Sequence, residues 1–177
     1  MLKITRLCTF FLFLACFFGF QEAKAQKINQ FDENKKRTGL WKKYYSNKRI
    51  RYVGRFLHGK EVGTFRYYDI TTSKHPTIIK EFSSTSDSAS VQFFDLNGKL
   101  TSKGMMVGRK RVGKWMYFFA DGKLFSEEYY EDGELDGDLK NYYKNGKLLE
   151  HTQYRNGKKH GFSTPAYLAQ SSIVSIL

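Results

Sequence analysis

A fixed glycine spacing constrains what this chain can fold into more than any other feature. Gly39, Gly63, Gly113, Gly137 and Gly161 stand 24, 50, 24 and 24 residues apart, and the long gap divides into two units if Ala89 replaces a glycine. A period of this length is the mark of a repeat architecture. A large apolar residue follows two positions after each ladder residue: Trp41, Phe65, Val91, Trp115 and Leu139. An aromatic follows three positions later, at Tyr44, Tyr68, Phe94, Phe118 and Tyr142. A turn comes next: Ser46-Asn47-Lys48, Leu96-Asn97-Gly98, Ala120-Asp121-Gly122 and Lys144-Asn145-Gly146. A second run then closes near Phe56, Met105, Tyr130 or Tyr154, followed by His58-Gly59, Asp132-Gly133 or Asn156-Gly157.

Asn-Gly and Asp-Gly between short apolar runs are strong hairpin signals, because tight primed turns need positive φ at both central residues. Each unit reads as strand, Asx-Gly turn, strand, glycine turn. The turn glycines are Gly39, Gly59, Gly63, Gly98, Gly113, Gly122, Gly133, Gly137, Gly146, Gly157 and Gly161. The expected fold is all-β: an elongated, twisted antiparallel sheet of stacked hairpins of about 24 residues. One hairpin cannot bury enough surface to stand alone, so neighbours must share their aromatics. The expected shared core is Trp41, Tyr44, Phe65, Tyr68, Phe94, Trp115, Phe118, Tyr130, Tyr142 and Tyr154. Trp115 and Phe118 are three apart, which alternation would place on opposite faces. Either a bulge re-aims one of them or the sheet is covered on both sides.

The units run over about 39–62, 63–88, 89–112, 113–136 and 137–160, with a partial unit at 26–38. The second unit has Asp69 to Pro76 in place of the Asx-Gly turn, which adds two residues and implies a longer loop. Its second turn, Ser83 to Ser88, lacks glycine, and the third unit slips by one residue near Gly104 to Gly108. Residues 162–177 contain no charge and read as a divergent cap or a tail.

Gly137-Asp138-Leu139-Lys140-Asn141-Tyr142-Tyr143-Lys144-Asn145-Gly146-Lys147-Leu148, Tyr154 to Gly161, and Gly113-Lys114-Trp115 through Asp121-Gly122-Lys123-Leu124 resemble the bacterial variant of the MORN repeat. The resemblance extends over about Phe31 to Gly161. It implies an elongated sheet of hairpins and supplies no catalytic residues. Some members carry the label of YwqK-like antitoxins and others are exported. MORN repeats in general are linked to scaffolding and to membrane lipids.

The first 25 residues read as an address. Lys3 and Arg6 precede an uncharged run from Leu7 to Phe20, and Ala23-Lys24-Ala25 places small residues where a signal peptidase cuts. The run is shorter than the roughly 20 apolar residues of a membrane-spanning helix. Lipoprotein processing at Cys16 is disfavoured, because Phe17, Phe18 and Phe20 continue the run past it. Cleavage before Gln26 removes Cys8 and Cys16, the two cysteines, and lowers the net charge from +13 to +11. The mature chain then has no disulfide and no thiol chemistry. An aromatic content of 17% excludes a disordered basic tail.

Catalytic and metal constellations are not found in the sequence. His58, His75, His151 and His160 form no local metal pair. The carboxylates from Glu127 to Asp138 fall at strand ends and turns, the pattern of a solvated edge. Ser83 to Ser90 lacks the nucleophile-elbow spacing. A non-enzymatic protein without cofactor or metal is expected. Basic residues cluster at Lys42, Lys43, Arg49, Arg51, Arg109, Lys110 and Arg111. One reading is a polar face that blunts sheet edges. The other is a surface for an anionic partner. Export argues against nucleic acid and favours an envelope protein, anionic lipid or envelope polymer, while family resemblance adds an antitoxin-like neutraliser. The strands over 41–68 and 103–123 are the expected interaction surface of an exported interaction module. Amino-terminal sequencing of the exported protein should begin at Gln26; a first residue of Met1 in the mature protein would remove the signal-peptide reading.

Overall fold

The computed structural model describes residues 27–83 and 85–161, together with the backbone of Thr164 and Pro165. Residues 1–26, which include the expected signal peptide, and Ser84, Phe162, Ser163 and residues 166–177 lie outside the described residues. Thirteen strands form one open antiparallel sheet. They are β1 (Gln30–Phe31), β2 (Arg37–Tyr44), β3 (Ile50–Leu57), β4 (Lys60–Tyr67), β5 (Ile78–Phe82), β6 (Ser88–Phe94) and β7 (Leu100–Val107). Then come β8 (Lys110–Phe118), β9 (Leu124–Glu131), β10 (Glu134–Tyr142), β11 (Leu148–Arg155), β12 (Lys158–Lys159) and β13 (Thr164–Pro165). β1 to β12 are neighbours in chain order, and β13 also pairs with β11. Among the described residues the sheet is a single layer.

The two kinds of turn differ in chemistry. His58-Gly59, Asp132-Gly133 and Asn156-Gly157 have positive φ at both residues, the primed turn the sequence predicts. The Asx-Gly turns are different. Only the third residue is left-handed: Gly98 at φ 82, Gly122 at 85, Gly146 at 83 and, without glycine, Lys48 at 65. The Gly98 N–H donates to the Asp95 carbonyl, and the Asp95 N–H donates to the Lys99 carbonyl. This is a type I turn closed by a one-residue bulge. The following strand carries an extra outward residue in each case, among them Phe125 and Leu149.

The ladder glycines are not turn residues, which corrects the sequence assignment of Gly39, Gly63, Gly113 and Gly137. They lie inside β2, β4, β8 and β10 at φ 71, 64, 63 and 117. At Gly63, Gly113 and Gly137 the pairing with the preceding strand shifts by two residues. L side chains rarely adopt this backbone, so the bulge selects glycine. Ala89 is the counter-case. β5 and β6 pair from Ile78↔Phe93 to Phe82↔Ala89 without any shift. Gly161, at φ 86, stands between β12 and β13.

β12 and β13 are two halves of one repeat strand. Adding 24 to Leu135↔Tyr130 gives Lys159↔Tyr154, and adding 24 to Lys140↔Glu127 gives Thr164↔His151; both pairs occur. The chain therefore begins a sixth unit with the same bulge, and the backbone at Thr164–Pro165 continues the array.

The core lies on one face. Its central row crosses the sheet as Trp41, Gly54, Phe65, Lys80, Val91, Gly104, Trp115, Glu128, Leu139 and Thr152. Phe65, Val91 and Trp115 are fully buried, and Phe56, Ala89, Ser102, Ser126 and Thr152 are nearly so. Phe65 and Trp115 each lie over a glycine of the preceding strand. A Cβ on Gly54 would come within 2.3 Å of the Phe65 ring, and one on Gly104 within 2.4 Å of Trp115. The bare glycine backbone is the seat of the ring. Trp115 Nε1 also donates to the Met105 carbonyl at 3.1 Å.

Alternation settles the Trp115–Phe118 question. Phe118 lies on the opposite face, with the Lys103 ammonium 5.7 Å from its ring centroid. The register shift at Tyr117/Phe118 places its extra residue in β9, so it does not bring Phe118 onto the core face. Tyr44 is a correction to the expected core. It is 47% exposed, because it follows Lys43 past a register shift at the end of β2 and points away from the aromatic face. Tyr68, Phe94, Phe118, Tyr130, Tyr142 and Tyr154 are half-buried.

Trp115→Ala should cost about 3–5 kcal/mol, the range for removing a buried large aromatic. Gly104→Ala should also destabilise, by overpacking. The double variant Gly104→Ala/Trp115→Leu should be more stable in urea than the sum of its single changes. Strict additivity would refute the ring-on-glycine contact.

Candidate interaction surface

The face opposite the core also has a continuous row. Lys42, Val53, Arg66, Ile79, Gln92, Lys103, Met116, Glu127, Lys140 and His151 are successive cross-strand partners. Arg55 sits beside it between Leu40 and Val62. Residues 27–83 hold 14 basic and 5 acidic side chains, whereas residues 124–161 hold 6 basic and 8 acidic. Charge therefore falls from strongly positive to slightly negative along the array.

The seven basic residues singled out from sequence do not form one patch. Lys42 faces the row just described, while Lys43, paired with Tyr52, faces the core side. Arg49 and Arg109 sit exposed at hairpin turns. Arg51 lies over the Tyr45 ring, 5.8 Å from its centroid. Lys110 is paired with Asp132 at 2.7 Å. Arg111 belongs to the core. Its guanidinium lies 4.6 Å from the Trp115 ring centroid and donates to the Tyr117 hydroxyl at 2.8 Å and the Tyr130 hydroxyl at 3.0 Å. Tyr130 in turn donates to Glu128 at 2.6 Å. Burial, then hydrogen bonding to Tyr130 and Glu128, pushes the Tyr117 hydroxyl far above its usual range. Arg111 caps the aromatic stack at the point where the core row turns from Trp115 to Glu128.

Among the described residues, no ion pair involves Lys42, Lys43, Arg49, Arg51, Arg55 or Arg66. The cations of the first unit and the start of the second are thus available. Sequence clustering missed Arg55 and Arg66, because each stands alone in its strand. Strand alternation and register bring them beside Lys42.

Over the fourth and fifth units the same face is internally neutralised. The Lys114 ammonium pairs with Glu127, which also accepts from the Tyr142 hydroxyl at 3.0 Å. His151 Nε2 stands 3.0 Å from Asp138, and the Lys140 ammonium 3.4 Å from it. Burial alone would push Glu127 up, but the Lys114 and Tyr142 hydrogen bonds hold its carboxyl below the usual range. The His151 hydrogen bond does the same for Asp138. Burial and Glu127 push the Tyr142 hydroxyl up to about 12. The described residues contain no group of three or more His, Cys, Asp or Glu arranged to hold a metal ion. No helix among them is long and apolar enough to cross a membrane.

The family model described as the MORN repeat variant matches residues 111–134 and 135–156. These two segments are similar to the MORN repeat variant. The first matched segment takes in β8 and β9 and the second β10 and β11, so each holds a strand of the core row and the strand hairpinned to it. No curated protein matches the chain. Among solved structures, a crystal structure of TarM is similar at 19% identity and a TM-score of 0.42, over 64% of this chain and 21% of that chain. A point mutant of S. aureus TarM in complex with fondaparinux, alpha-GlcNAc-glycerol and UDP is similar at 21% identity and a TM-score of 0.42, over 64% of this chain and 22% of that chain. The chain thus spans about a fifth of the length of these structures.

Glu127 and Asp138 set the sign of a pH dependence in these two units. Each has a folded pKa below its unfolded value, so its contribution is present above the ordinary carboxylate range and is lost as pH falls through the folded pKa. Thermal melts should show Tm falling as pH drops from about 6 to 3, with a shallower fall in Glu127→Gln. An unchanged slope would mean that the Lys114–Glu127–Tyr142 cluster does not stabilise the fold.

Proposed function

We propose that this chain is an exported, non-enzymatic interaction module that presents the sheet face opposite its aromatic core to an acidic protein partner at the cell envelope. The observation that carries this reading is the group Lys42, Arg55 and Arg66. These cations share one sheet face with Val53, Val62 and Ile79, and none has an acidic partner among the described residues. Cations interleaved with aliphatic side chains on a flat sheet complement a surface that is acidic and partly apolar. The unpaired charge speeds encounter, and the aliphatic strip supplies desolvated contact. The similarity of two units to the MORN repeat variant suggests a module of protein or membrane interaction. The amino-terminal segment supports export through its charged start, apolar run and small-residue cleavage site.

The second reading is direct attachment to an anionic membrane or envelope polymer. The charge gradient favours it, because the basic end would orient the array on such a surface.

Immobilised full-length protein should retain a specific protein from envelope extract at moderate salt. The variant Lys42→Glu/Arg55→Glu/Arg66→Glu should lose it while keeping the wild-type melting curve. Sedimentation with anionic but not neutral vesicles, released by salt, would favour the second reading instead. Neither protein retention nor vesicle binding would sink both.

A further inference from the structure

The second unit breaks the repeat after β5, where the sequence has no glycine for a primed turn. A cleft of about 1190 Å³ opens there, lined by Ser83, Thr85 and Ser86, the first primed turn and the start of β2. It is separate from the face discussed above, since its floor belongs to the core side. Phe56 and Phe82 form the floor, and Phe31, 62% exposed, stands at the mouth. Lys35, Lys36 and Arg37 wall one side; the hydroxyl-bearing Ser83, Thr85 and Ser86 wall the other.

Arg37 is held in place without a carboxylate. Its guanidinium lies 4.8 Å from the Phe56 ring centroid and 5.5 Å from that of Trp41. No ion pair involves it among the described residues. Ring stacking leaves the edge of the guanidinium, where its N–H groups project, free to meet a planar oxyanion. Lys36 lays its methylenes against the Gly59 turn, with its Cβ 3.5 Å from where a Gly59 Cβ would stand. Two acids also line the cleft. Glu61 accepts from the Tyr67 hydroxyl at 3.3 Å, and Asp87 faces Lys60 at 3.9 Å. Both members of the Lys60–Asp87 pair are more than four-fifths exposed, so the contact closes nothing. His58 is taken by Asp32 at 3.0 Å. The net lining charge is modestly positive. This suits one negative charge, and the acids oppose a polyanion. The aromatic floor needs an apolar body to cover it.

We propose that this cleft binds a monoanionic amphiphile, a carboxylate headgroup on an aliphatic chain. The head meets Arg37 and Lys36, and the chain lies over Phe56 and Phe82 against Phe31. Nothing in the reaction of a partner with the opposite face depends on it.

Calorimetric titration of the full chain with octanoate, acetate and 1-octanol tests the proposal. Octanoate should bind saturably. Acetate lacks the apolar body and 1-octanol lacks the charge, so each should bind at least about tenfold more weakly. Arg37→Gln should weaken octanoate by about tenfold, and Phe31→Ala should weaken it several-fold. Should Arg37→Gln unfold the amino-terminal strands, Lys36→Gln, whose ring contacts are none, should still lower affinity. Absent saturable binding would overturn the assignment. So would octanoate affinity unchanged in both Arg37→Gln (folded) and Lys36→Gln, or acetate or 1-octanol binding as tightly as octanoate.

Discussion

The fold depends on an aromatic ring seated over a glycine of the neighbouring strand. Among the described residues no second layer covers the apolar face, so burial there comes from within the row. Trp115 and Phe65 achieve it by lying across Gly104 and Gly54, where a side chain would occupy the same space. The two-residue bulge at Gly113 or Gly63 carries the ring back toward the preceding strand. Positive φ at the ladder glycine and the absent side chain at the seat are thus two halves of one device. Where the row residue is aliphatic the seat carries a side chain. Val91 sits across from Lys80, and Leu139 across from Glu128. Ring size and seat size vary together along the array.

Much of this was legible in the sequence. The 24-residue period gave the hairpins, and the residues two positions past each ladder position share one row, with Phe65, Val91 and Trp115 fully buried and Trp41 and Leu139 half-buried. What the period could not give was direction. Tyr44 and Phe118 recur as regularly as Trp115 but face the other way, because periodicity reports position in the unit and not side of the sheet. Gly54 and Gly104 occupy the same place in only two units, so the period does not mark them as seats. Their role appears only once the neighbouring strand is in place. The ladder glycines were read as turns because both turns and bulges select positive φ; the sequence signal is the same for both.

The candidate surface was legible to a lesser degree. Runs such as Arg109-Lys110-Arg111 attract notice in one dimension, yet alternation sends adjacent residues to opposite faces. Arg111 is spent on Trp115, Tyr117 and Tyr130, and Lys110 on Asp132. Residues well apart in the chain, Lys42, Arg55 and Arg66, end up as neighbours. A sheet assembles its surface from every second residue of several strands, so local charge runs overstate some sites and hide others.

The repeated register of β12 and β13 has a consequence for how such a chain can change in length. Because pairs recur when 24 is added to both partners, a whole unit can be removed or copied between the fourth and sixth positions without altering any strand's partner pattern. The second unit lacks this freedom. Its straight β5–β6 pairing, long loop and two additional residues match no other unit, so a cut there would join strands out of register. The array is modular at its carboxy-terminal end and fixed near its amino-terminal end, and variation in repeat number among similar chains should accumulate where the units are interchangeable.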